Sequence, residues 1–92
     1  MTYKVKLTSH FKKDLKKAIK QHRNIEKLKN IVDVLRNGLP LQPIYRDHQL
    51  SGQYSNCREC HIEPDWLLIY EYNNNQLILT LLRVGSHSNL FK

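Results

Sequence analysis

Apolar and polar residues alternate at the start of the chain. In YKVKL, residues 3–7, Tyr3, Val5 and Leu7 fall on one side and Lys4 and Lys6 on the other, the two-residue period of a half-buried strand. The period then lengthens. Phe11, Leu15, Ala18 and Ile19 recur at helical spacing behind a capping hydroxyl at Thr8 or Ser9, while Lys12, Lys13, Lys16, Lys17 and Lys20 take the other faces. QHRN interrupts the pattern. Asn24 is placed to cap a second stripe of Ile25, Leu28, Ile31, Val32 and Leu35, and Gly38, after Arg36 and Asn37, supplies a stop. The two stripes predict a helical hairpin.

Residues 39–56, LPLQPIYRDHQLSGQYSN, hold two prolines, one glycine and no sustained period, and read as a long irregular connection. Loops of that length in small domains are often functional. From residue 57 the pattern predicts a meander: CRECHIE as a strand, EPDW as a turn with Pro64 in second place, and WLLIYEY as the next strand. NNN makes another turn, QLILTLLRV is the last strand, Gly85 ends it, and SHSNLFK forms a tail. The near-continuous apolar run at 77–82 predicts a central strand covered on both faces. The order β-α-α-β-β-β predicts a single α+β domain over 1–92, with the helical hairpin packed on a mainly antiparallel sheet.

With 92 residues the chain builds one core. Fifteen Lys and Arg against eight Asp and Glu give a net charge of +7, which makes nucleic acid the leading partner class without bearing on fold. The N-terminus lacks the apolar run of a signal peptide, and no segment approaches the ~18–20 apolar residues that cross a bilayer. The expectation is a soluble cytoplasmic protein without a membrane partner, its two cysteines present as thiols.

CRECH, residues 57–61, has the C-x-x-C-H spacing of c-type haem attachment. Such attachment belongs to exported proteins, and in a strand Cys57 and Cys60 point to opposite faces. Zinc needs about four ligands, and beyond this pair only His48, His61 and His87 remain as scattered candidates. The plain reading of the cysteines is two small semi-buried side chains.

His61 shares a strand face with Glu59, and Asp65 follows in the turn; a neighbouring carboxylate can fix an imidazole's tautomer. His48 follows Tyr45, Arg46 and Asp47 in the long loop, and His87 lies four residues beyond Arg83. If the three histidines converge, they supply what RNA cleavage by the adjacent 2′-hydroxyl demands: a base, an acid for the departing 5′-oxygen, and a cation near the phosphorane. Imidazoles serve the first two at neutral pH, and Arg83 matches phosphate oxygens in a planar fork.

YRDHQLSG, CRECHIEPDWLLIYEY and LLRVGSHSNLF, following the helical hairpin, resemble the YafQ branch of the RelE superfamily of bacterial toxins. The motifs are D-H-x-L-x-G, H-x-x-P-D and R-x-G-x-H-x-x-L-F in that order, and the resemblance covers essentially the whole chain. It implies a ribosome-dependent endoribonuclease that cuts mRNA and is silenced by a cognate antitoxin, with no metal and no cofactor. His48, His61, Asp65, His87 and Phe91 match the family's functional residues, and Arg83 matches by motif position. His87 is the implied general acid, with His48, His61 and a carboxylate sharing the remaining duties. Glu59 stands where some relatives carry aspartate, which leaves Glu59 and Asp65 both as candidates. Phe91 can stack on a splayed base, or plug the core. Arg46 and the Lys12, Lys13 and Lys16 face of the first helix can grip RNA backbone, or be merely solvated. Two other readings stand: a non-cleaving toxin of the superfamily, and a zinc-binding nucleic-acid module built on Cys57, Cys60 and two histidines.

Overall fold

The computed structural model describes residues 2–91; Met1 and Lys92, the ends of the expected domain, lie outside the described residues. Strand β1 (Lys4–Leu7) leads into helices α1 (Ser9–Lys20) and α2 (Ile25–Arg36). Strands β2 (His48–Gln49), β3 (Arg58–Glu63), β4 (Trp66–Asn73) and β5 (Ile78–Gly85) and helix α3 (His87–Leu90) follow. The five strands form one sheet in the order β1-β5-β4-β3-β2, with β1 parallel to β5 and the other pairs antiparallel.

Local chemistry sets the helix ends where the sequence signals them. Thr8 caps α1 by accepting the Phe11 N–H, and its hydroxyl donates to the Leu82 carbonyl, so one side chain starts the helix and ties it to β5. Asn24 caps α2 at the Lys27 N–H. At the far end Gly38 turns left-handed at φ +71°, its N–H donating to Leu35 and that of Leu39 to Val34, which satisfies carbonyls the helix leaves open.

The two faces of the sheet differ. Phe11, Leu28, Ile31 and Leu35 from the helices pack on Cys60, Ile62, Trp66, Leu68, Tyr70, Leu79, Leu81 and Val84. The opposite face carries a smaller cluster of Cys57, Leu67, Ile69 and Leu90, flanked by Leu50, Tyr54, Leu82 and Phe91. Cys57 and Cys60 belong to different clusters, as strand alternation requires, so they cannot chelate one ion. Burial raises both thiols.

Three details depart from the pattern read in the sequence. Residues 39–56 are not all irregular: single helical turns at Pro43–Tyr45 and Gly52–Tyr54 flank the two-residue β2. The last strand begins at Ile78 rather than Gln76, because Leu77 closes the turn at φ +54°, and the tail becomes α3. The strand buried end to end over its first five residues is β4, Trp66–Tyr70, whereas β5 alternates buried and half-buried positions. A bulge explains its unbroken apolar run. Ile69 faces Arg83 and Tyr70 faces Leu81, so Leu82 is an extra residue and the phase slips, putting Leu81 and Val84 on the same face.

Candidate active site

The face of the sheet away from α1 and α2 carries His48 and His61. His48 lies opposite Glu59 across the β2–β3 ladder, and His61 follows Glu59 by two residues on β3, so all three side chains share one face. Nε2 of His48 is 3.5 Å and Nε2 of His61 is 3.4 Å from the same Oε1 of Glu59. The ring centroids are 6.5 Å apart. Glu59 is 5% exposed, whereas the side chains of His48 and His61 are 50% and 18% exposed, so a buried carboxylate meets one ring open to solvent and one half-buried.

The other nitrogens fix the tautomers. Nδ1 of His48 lies 2.7 Å from the Arg46 carbonyl, and Nδ1 of His61 lies 3.2 Å from the Pro64 carbonyl. A carbonyl only accepts, so each Nδ1 is the donor, and each Nε2 is turned to Glu59. Arg46 reaches this position with φ +51°, a left-handed conformation at the end of the Pro43–Tyr45 turn.

Asp47 holds the segment that presents His48. Its carboxylate accepts from Arg58 Nη2 at 3.0 Å and from Nε at 3.3 Å, and from the Tyr70 hydroxyl. The pairing raises Arg58 further above its ordinary range, and burial, reinforced by Asp47, pushes the Tyr70 phenol well above its own. Tyr70 thus stays a donor. The residue before His48 is pinned to β3 and β4 at once.

Asp65 does not join Glu59. From the β3–β4 turn its Oδ1 accepts the His87 N–H at 3.1 Å. Ser86 caps the short α3 by accepting the Asn89 N–H, and Leu90 buries itself beside Leu67 and Ile69. His87 is therefore held through its backbone, and its exposed ring lies 5.0 Å from that of Phe91, which meets Tyr54 edge-on at 6.0 Å. Leu67 pairs with both His61 and Gly85, so α3 leaves β5 at the end of the sheet where His61 sits.

Arg83 turns toward α1. Its Nε and Nη2 donate to Asp14 at 2.7 and 3.1 Å, and Asp14 also accepts the Val84 N–H, covering the β5 edge just past the end of β1. The bonds to Asp14 raise Arg83 above its ordinary range. Nη1 takes no part in that pair. Lys12, Lys13 and Lys16 are exposed on α1, and Arg46 is exposed beside His48. Sequence reasoning missed Asp14, Asp47, Arg58 and Tyr70; of these only Asp47 had a signal, its place directly before His48.

The model of the family described as "Bacterial toxin of type II toxin-antitoxin system, YafQ" matches residues 3–92. The chain is 39% identical over 88 residues to the mRNA interferase toxin YafQ of Escherichia coli K12, covering 95% of this chain and 94% of that protein. It superposes on a metal-bound toxin from Helicobacter pylori with TM-score 0.92 at 40% identity, over 99% of this chain and 100% of the other. On the E. coli DinJ-YafQ toxin-antitoxin complex the TM-score is 0.90 at 36% identity, over 100% of both chains. With the whole described fold and nearly the whole sequence matched, the chain belongs to the YafQ family of type II toxin-antitoxin toxins.

Proposed function

We propose that this chain is an mRNA interferase, a ribosome-dependent endoribonuclease that uses the 2′-hydroxyl next to the cut phosphate as nucleophile. The observation that carries the reading is the pair of Nε2 atoms on one oxygen of the buried Glu59. A proton taken from the hydroxyl by either imidazole remains beside a carboxylate, which supports the charged ring as it forms. Glu59 orients the bases, and Asp65 positions α3. His87 protonates the 5′-oxygen, its ring being exposed while its backbone is fixed. Phe91 offers an aromatic face beside His87 to a splayed base. The guanidinium of Arg83, held by Asp14 through Nε and Nη2, and the developing imidazolium supply positive charge near the phosphorane.

The partners in this reading are mRNA on the ribosome and a cognate antitoxin, the kind of protein with which the matched E. coli toxin forms its complex. The exposed Lys12, Lys13 and Lys16 contact ribosomal RNA backbone. Primer extension on mRNA from cells expressing the protein tests the reading. Discrete new 5′ ends with the wild type and none with His87→Ala are expected. Growth arrest without new ends would point instead to a toxin that blocks its target without cutting.

A further inference from the structure

A hollow of about 340 Å³ lies beside His61, lined on its other sides by residues the acid-base chemistry above does not use as acid or base. It falls within the roughly 300–1,000 Å³ range of small-molecule sites. Its walls are α2, through Lys27 and Asn30, the Pro43–Tyr45 turn, through Ile44 and Tyr45, and the end of β3, with Arg46 and His61 at the rim.

Three features of this hollow point to one occupant. First, β2 pairs only with Arg58 and Glu59, so the β3 edge from His61 to Glu63, whose residues line the hollow, has no strand beside it. Second, Tyr45 and Ile44 give the walls an apolar character, and Ile44 is 74% exposed. Third, the one acid in the lining, Glu63, is already matched by Lys27 at 3.2 Å and Arg23 at 3.7 Å, which leaves Arg46 as the outward cation. A flat apolar ring with hydrogen-bonding edges satisfies this lining. A bare phosphate does not, because Glu63 stands inside and the cations near it are paired.

We propose that the hollow is a nucleotide subsite that receives one unstacked base of single-stranded RNA adjacent to the bond being cut. The base lies against Tyr45 and Ile44, its edge meets Asn30 and the open edge of β3, and its phosphate runs past Arg46. His61 forms part of the wall, so seating the base sets the distance from the ribose to the catalytic imidazoles. The inference rests on the interferase reading for its biological substrate, but the binding can be measured without cleavage.

Adenosine 3′-monophosphate is titrated into isotopically labelled protein, with ribose 5-phosphate as the probe that lacks a base. Saturable amide shifts at Asn30, Ile44, Tyr45, Arg46 and Ile62 with the nucleotide, and none there with ribose 5-phosphate, are expected. Ile44→Asp, at an exposed position, should weaken binding about tenfold without changing the rest of the spectrum. Shifts confined to the His87 and Phe91 region, or equal shifts with both probes, overturn the subsite. In a parallel cleavage assay, one abasic nucleotide next to the cut should cost the wild type about tenfold in rate and Ile44→Asp little. An unchanged abasic penalty in the variant overturns it too. If the wild type cuts no RNA at all, the interferase reading falls, while the titration still decides the hollow.

Discussion

His61 and Glu59 stand two residues apart on one face of β3, with Nε2 of the first 3.4 Å from Oε1 of the second, and His48 approaches the same oxygen from the neighbouring strand. One buried carboxylate therefore faces two imidazoles. Glu59→Gln keeps the shape and removes the charge, and should lower the cleavage rate about a hundredfold with KM little changed. Single-turnover kinetics on programmed ribosomes checks it; a rate within a factor of about three of wild type would remove Glu59 from the mechanism.

The Asp47 junction couples stability to geometry. Asp47→Ala leaves Tyr70 and Arg58 without their acceptor and should destabilise the fold by about 1–3 kcal/mol, with Tyr70→Phe costing about 1 kcal/mol. Both should reduce cleavage, because the segment carrying His48 loosens. Urea unfolding alongside kinetics separates the two effects, and Asp47→Ala with full activity per folded molecule would show that His48 needs no such anchor.

His87 and Asp65 should behave differently although they are neighbours. His87→Ala removes an exposed ring and keeps the backbone bond to Asp65, so activity should be lost with the thermal midpoint unchanged. Asp65→Ala removes the acceptor from the start of α3, and should lower both activity and the midpoint modestly, by the ~1 kcal/mol of one hydrogen bond. Equal losses of stability in the two variants would contradict this division.

Burial pushes the Tyr72 phenol up to about 12, and it raises Cys60 and Tyr70 as well. These groups are neutral in the folded chain at pH values where the unfolded chain has begun to ionise them, so the unfolded state binds fewer protons there. Their contribution is complete below the ordinary thiol value of 9.0 and is lost progressively as pH rises from there toward about 12. Thermal midpoints measured at constant ionic strength should be flat on the acid side of that window and fall within it. Tyr72→Phe should flatten the decline, although it also removes the hydrogen bond to the Leu35 carbonyl and lowers the plateau.

How far the sequence reveals this molecule depends on the range of each interaction. As caps and stop, Thr8, Asn24 and Gly38 act on residues within a turn of themselves, and the alternation around Lys4 and Lys6 needs only neighbours, so the helices and strands are legible. The slip at Leu82 is not, since a bulge is defined by the strand opposite. The three motifs do mark His48, His61 and His87. What they leave open is which carboxylate meets which histidine, because Glu59 and Asp65 are both near His61 in sequence and only the hairpin turn sends Asp65 to the His87 backbone. Arg83 meets Asp14 from 69 positions away, and no local pattern announces that partner.

The division of the sheet into a helix-covered side and an imidazole-bearing side has an evolutionary consequence. On the proposed mechanism, a lineage burdened by this toxin would disarm it with one substitution at a solvent-facing ring, and the product would be a sound protein rather than debris for proteases. Such a descendant would persist as a decoy, occupying whatever partner recognises its unaltered flanks and leaving less of that partner for armed copies.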